Sequence, residues 1–168
     1  MVGLDLCQLT KAAEEISLAR INRAVLDKVQ FPVTFTIPTR FADLDLQGHV
    51  NNAAVPVILQ ESRVDFNKTI EFATLPSGLR PMIAGITVEY AAELTHPNII
   101  EIGTGVARIG RTSFTLNQVA RQNGRTAIYA ETTMVIADEH GGAPLPEALR
   151  RNLERVLLPQ NRTETENR

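Results

Sequence analysis

Apolar positions recur along this chain with two periods, and the change from one to the other divides it. Residues 8–29 carry Leu9, Ala12, Ala13, Ile16, Ala19, Ile21, Val25 and Leu26 at mostly three- and four-residue spacing, which predicts a helix. Phe31, Val33, Phe35 and Ile37 then alternate with polar residues up to Pro38, the pattern of a half-buried strand. Helical spacing returns at Val55, Ile58, Leu59, Ser62, Phe66 and Ile70, predicting a helix of roughly five turns over about 53–71. Pro56 is tolerated only in a first turn, where its missing N–H costs nothing, so this helix starts directly after Asn52. Beyond a Pro76-Ser77-Gly78 loop the period is two throughout. Strands are expected from Met82 to Leu94, from Ile100 to about Ile109, over 113–122 and over 126–137. Asn123-Gly124 between the last two is a strong hairpin signal. A short helix over 145–157 and a polar tail over 159–168 complete the reading.

The order is strand, long helix, antiparallel meander. One apolar helix face and one apolar sheet face must meet, so the sheet wraps the helix. Five antiparallel strands around a central helix make an α+β hotdog architecture, here spanning 31–158 after an N-terminal helical extension over 1–30. Such a unit leaves sheet edges unpaired, and edge-to-edge association into a homodimer or homotetramer is the expected way to cover them.

Composition narrows the function only by exclusion. The chain is 43% hydrophobic and 21% charged with net charge −2, which offers no electrostatic attraction to nucleic acid or to an anionic membrane. No apolar run approaches the ~20 residues of a membrane span. Asp5, Glu14, Glu15 and Asp27 interrupt the N-terminal segment, which argues against a signal peptide, and the lone Cys7 suits a reducing cytoplasm. Asn161-Arg162-Thr163 fits the glycosylation pattern but lacks a secretory context.

The chemistry concentrates in residues 40–63, RFADLDLQGHVNNAAVPVILQESR. Asp43 and Asp45 precede a Gln47-Gly48 turn, after which His49, Asn51 and Asn52 lead into the long helix. A helix N-terminus presents free N–H groups that favour negative charge, including the charge a carbonyl oxygen develops under attack. Other readings of the stretch fail. A calcium loop beginning at Asp43 needs a bidentate Glu at its twelfth position, where Ala54 stands. His49, His96 and His140 lack the paired spacing of a zinc site. There is no nucleophile elbow, and Gly103-Thr104-Gly105 sits inside a strand pattern instead of opening a dinucleotide-binding helix. Taken singly, each residue has an ordinary structural role open to it: turn chemistry for the aspartates, capping for Asn52, a solvated helix carboxylate for Glu61, a hairpin entrance for Arg111 to Ser113.

Together they match a known pattern. Arg40, Phe41, Asp43, Asp45, Gly48, His49, Val50, Asn51, Asn52, Glu61 and Arg63 resemble, without a gap, the signature of the 4-hydroxybenzoyl-CoA thioesterase branch of the hotdog superfamily. The resemblance extends weakly over about 31–138 and includes Arg111-x-Ser113-Phe114. It implies hydrolysis of an acyl-CoA thioester with no metal and no redox cofactor. Asp45 occupies the catalytic carboxylate position, as nucleophile or as general base on water, with Glu61 the reserve. The Asn52 N–H would polarise the thioester carbonyl, with His49 beside it among the catalytic residues and Gly48 in contact with the substrate. Arg111 and Ser113 would contact the nucleotide or pantetheine, across a dimer interface. Val55 and Ile58 stand beside the acyl pocket where the family tends to place aromatic rings, and Pro56 is unusual there. Two alternatives use the same fold: a non-catalytic acyl-CoA-binding module, and a hydratase or dehydratase whose dyad would be His49 with Asp45.

Overall fold

A computed structural model describes residues 21–159. Most of the helix expected over 8–29, and the tail from residue 160 onward, lie outside the described residues. Of that helix the structure shows one turn, α1 (Arg23–Leu26), closed by the Asn22 side chain accepting from the Val25 N–H.

The meander follows the period-2 pattern in strand number and order, with the strand expected over Met82 to Leu94 displaced to Arg80–Tyr90. Strands β1 (Val33–Pro38), β2 (Arg80–Tyr90), β3 (Ile99–Ile109), β4 (Ser113–Gln122) and β5 (Arg125–Asp138) form an antiparallel sheet in the order β1-β3-β4-β5-β2, and a two-residue β6 (Gly141–Gly142) folds back on β5. Between β4 and β5, Asn123 (φ 51°) and Gly124 (φ 75°) both adopt left-handed backbone, the requirement of a type I′ hairpin turn.

Helix α2 (Val55–Thr69) packs across the concave face of the curled sheet. Its buried residues are Val55, Ile58, Leu59, Ser62, Arg63 and Phe66, a single face at 3–4 spacing. At about 1.5–3 kcal/mol per fully buried large aliphatic or aromatic side chain, this face is a principal source of the helix's stability. The helix is shorter than expected, fifteen residues. Asn52, Ala53 and Ala54 form a turn before it, held by Asn51, whose side-chain oxygen accepts from Ala53 N–H at 2.9 Å and whose carbonyl accepts from Ala54 N–H at 2.8 Å. Pro56 sits in the first turn, where it is harmless.

Helix α3 (Glu147–Arg155) closes the far end of the core, with Leu149 and Leu153 against Phe66, Phe72 and Phe114. The convex face of the sheet is covered by the two described ends of the chain: Ile21, Leu26 and Leu158 share a cluster with Val119 and Tyr129. The Tyr129 hydroxyl donates to both oxygens of Asp27 at 2.8 Å, pinning the N-terminal segment there. Burial and the Asp27 carboxylate both disfavour the phenolate, so the Tyr129 pKa is raised.

Strand β2 departs from the expected half-buried pattern. It is the sheet's last strand, and Met82, Ile83 and Ile86 are 52%, 46% and 40% exposed. Its apolar alternation asks for a partner surface that the described residues do not supply.

Candidate active site

The site loop folds back on itself between β1 and α2. Leu44 and Val50 pair as an isolated bridge, Asp45 N–H donates to His49 O, and Gly48 takes φ +83° to make the turn, a conformation that favours glycine. Within this turn the Asp45 side chain is fixed. Its Oδ1 accepts from the backbone N–H groups of Gln47 (2.8 Å) and His49 (3.1 Å), while Oδ2 has no hydrogen-bond partner among the described residues. Turn chemistry and a free, oriented carboxylate oxygen are thus present in one residue.

Asp45 faces a cleft of about 360 Å³ lined on one side by Gln47, His49, Asn52 and Val55 and on the other by residues 90–94, with Ile128 also contributing. The Asn52 N–H has no acceptor among the described residues, although its neighbours at 51, 53 and 54 are all paired. The cleft therefore brings together a carboxylate with one unengaged oxygen and a residue with an unengaged backbone donor beside the N-terminus of α2. That pairing can activate water or attack a carbonyl carbon, and receive the negative charge that results.

Other residues singled out from the sequence fall elsewhere. Asp43 forms a two-point ion pair with Arg40 (Nε–Oδ2 2.8 Å, Nη2–Oδ1 3.0 Å), which raises the Arg40 pKa through that hydrogen bond and the carboxylate's charge. Arg40 also lies 3.5 Å from Glu61, so Glu61 is engaged on the helix surface and does not line the cleft. Ile58 is buried at 2% exposure behind Val55, part of the core and not of the cleft wall. Arg111 and Ser113 sit at the β3–β4 turn and do not line the cleft within one chain. His49 does not pair side chain to side chain with Asp45: its Nε2 lies 3.3 Å from Glu93 Oε2 on the opposite wall.

That opposite wall is what the sequence left unmarked. Tyr90 donates to Asn52 O at 3.1 Å, Leu94 O accepts from Val50 N–H at 2.8 Å, and Glu93 meets His49. The alternation from Met82 to Leu94 reads as one strand and carries no chemical signature, whereas the strand ends at Tyr90 and Glu93 and Leu94 lie in the segment after it. Among the described residues no three His, Cys, Asp or Glu side chains are grouped to hold a metal ion, and no helix is long and apolar enough to cross a membrane.

A curled antiparallel sheet packed on a helix whose N-terminus borders the cleft is the hotdog class of α+β fold. The family model of the thioesterase-like superfamily matches residues 39–153, and the chain belongs to that superfamily: it is a thioester hydrolase. Solved structures agree. A predicted thioesterase from Bacillus stearothermophilus superposes with a TM-score of 0.68 at 26% identity, covering 74% of this chain and 95% of the other. A thioesterase from Thermus thermophilus, solved with coenzyme A and zinc, gives 0.67 at 27% identity, covering 75% and 94%. A gentisyl-coenzyme A thioesterase, at 18% identity and a TM-score of 0.65 over 72% and 99%, shares the fold. No curated protein matches the sequence.

Proposed function

We propose that the protein hydrolyses acyl-CoA thioesters in the cleft beside α2, with Asp45 as its catalytic carboxylate. The observation that carries this reading is the Asp45 side chain itself. One oxygen is anchored by two backbone N–H groups and the other has no partner among the described residues, in a cleft also lined by Asn52, whose N–H is likewise unpaired among them. Coenzyme A in the structurally similar Thermus thermophilus enzyme supports CoA as the thiol portion of the substrate.

In this scheme the thioester carbonyl oxygen sits against the Asn52 N–H and the positive end of α2. Asp45 either takes a proton from a water that attacks the carbonyl carbon, or attacks it directly. Negative charge moves onto the carbonyl oxygen, where a fixed donor stabilises it without reorganisation. The C–S bond then breaks and the CoA thiolate leaves. Direct attack leaves an acyl-aspartyl anhydride, which water opens to the free acid. Arg111 and Ser113 serve the nucleotide or pantetheine of a CoA bound from a neighbouring copy, consistent with their position away from the chain's own cleft.

The test is thiol release from aryl-, short-, medium- and long-chain acyl-CoAs by the parent and by Asp45→Asn. The variant keeps an oxygen able to accept the Gln47 and His49 N–H bonds, and should lose at least ~10³-fold in kcat with the fold retained. Turnover within tenfold of the parent would move the carboxylate role to Glu61 or remove it.

A further inference from the structure

We propose that Tyr90 is a positioning residue for the amide that receives the oxyanion. The proposal rests on the acyl-CoA reading above. Asn52 lies between two peptide planes, and only the second is also held from outside the site loop. The plane before it, which carries the Asn52 N–H, is fixed locally through its carbonyl: Asn51 O accepts from Ala54 N–H at 2.8 Å. The plane after it is held at both ends: locally Ala53 N–H donates to Asn51 Oδ1 at 2.9 Å, and from across the cleft the Tyr90 hydroxyl donates to Asn52 O at 3.1 Å, thirty-eight residues away in sequence. Val50 N–H to Leu94 O and His49 to Glu93 tie the walls together farther back in the loop, but neither reaches Asn52.

Asn52 belongs to a turn and not to the helix, so helical hydrogen bonds do not hold its backbone angles. Without the Tyr90 hydroxyl the Asn52–Ala53 peptide keeps only the bond from Ala53 N–H to Asn51 Oδ1, a single pivot about which its carbonyl can tilt, and tilting there loosens the aim of the neighbouring N–H. Oxyanion donors act only over a narrow range of distance and direction, so a small misplacement is felt in the chemical step. Tyr90 is the last residue of β2, the exposed edge strand, so the aim of the Asn52 N–H depends on a strand outside the site loop.

Tyr90→Phe removes only the hydroxyl. On the best acyl-CoA of the panel it should lower kcat about tenfold with KM within twofold of the parent. Amide hydrogen exchange read at the same time should show residues 51–54 exchanging at least about fivefold faster, with protection of the β2–β5 ladder unchanged. A raised KM with kcat intact makes Tyr90 a substrate contact and overturns the proposal. So do parent-like kcat and exchange. If the parent releases no thiol from any acyl-CoA, the hydrolase assignment of the cleft fails on its own, and the exchange measurement still decides whether Tyr90 holds Asn52 in place.

Discussion

Val55 is both a core residue, 2% exposed, and part of the cleft wall. On the proposed acyl-CoA reading, its size would set how far an acyl group extends beside α2. With an aliphatic side chain here and Ile58 buried in the core, the helix itself offers no ring for a flat acyl group to stack on, and the rings lining the cleft are those of His49 and Tyr90. Each methylene buried along such a wall contributes about 0.8 kcal/mol, or roughly fourfold in kcat/KM per carbon until space ends. Medium or longer aliphatic acyl-CoAs should therefore outperform 4-hydroxybenzoyl-CoA, and Val55→Tyr should shorten the preferred chain, both read from kcat/KM across a chain-length series. At this scale the sequence exposes the loop residues well, because carboxylates, a turn glycine and asparagines before a helix have distinctive spacing. Tyr90 and Glu93 were hidden. Their relevance comes from where strand β2 ends in space, and an aromatic and an acid in a strand pattern have many ordinary uses.

Helix α2 carries an unusual buried group. Arg63 is 4% exposed, and its Nη1 donates to Gln118 Oε1 at 3.0 Å, with no carboxylate partner among the described residues. Burial alone lowers its pKa. Gln118 is the hub: its Nε2 also donates to Leu59 O at 3.1 Å and to Ser62 Oγ. Gln118→Leu strands a buried cation without its acceptor and should cost about 3 kcal/mol, whereas Arg63→Met orphans only a neutral amide oxygen and should cost about 1–2 kcal/mol. Denaturant unfolding of both variants and of the double variant checks this: the double variant should lose less than the sum of the singles. A Gln118→Leu variant as stable as the parent would show that the guanidinium is satisfied some other way. Period-3.6 spacing gave the buried face of α2 correctly, yet could not show that Arg63 lies on it with the apolar residues. An arginine's long stem normally carries its head to water, and here Gln118 on the facing strand holds the head inside. The helix starts about two residues later than the spacing predicts because Asn51, and not Asn52, organises the turn before it.

For the whole molecule the informative strand is β2. Its pattern predicts one buried face, and the folded chain leaves Met82, Ile83 and Ile86 exposed on an unpaired edge, which a lone soluble chain rarely tolerates. Sequence periodicity reports that a face is to be covered and is silent on whether the cover comes from the same chain. A second copy docking along β2 is the expected cover. Light scattering should give a molar mass at least twice the chain's 18.5 kDa, and Ile86→Lys should shift it toward a single chain. A parent that scatters as one chain at micromolar concentration would count against this arrangement.

The cluster of Ile21, Leu26 and Leu158 on the convex face has another consequence. Both described ends of the chain are seated in one place, far along the backbone from the exposed Asn123-Gly124 turn. The order in which a ribosome delivers the strands is therefore separable from the contacts the strands make. A short linker from residue 158 to residue 21, with the backbone opened between 123 and 124, would give a circular permutant that begins with β5 and finishes with β4. The site loop and α2 would then be threaded through the middle of the new chain, with every neighbour they have now.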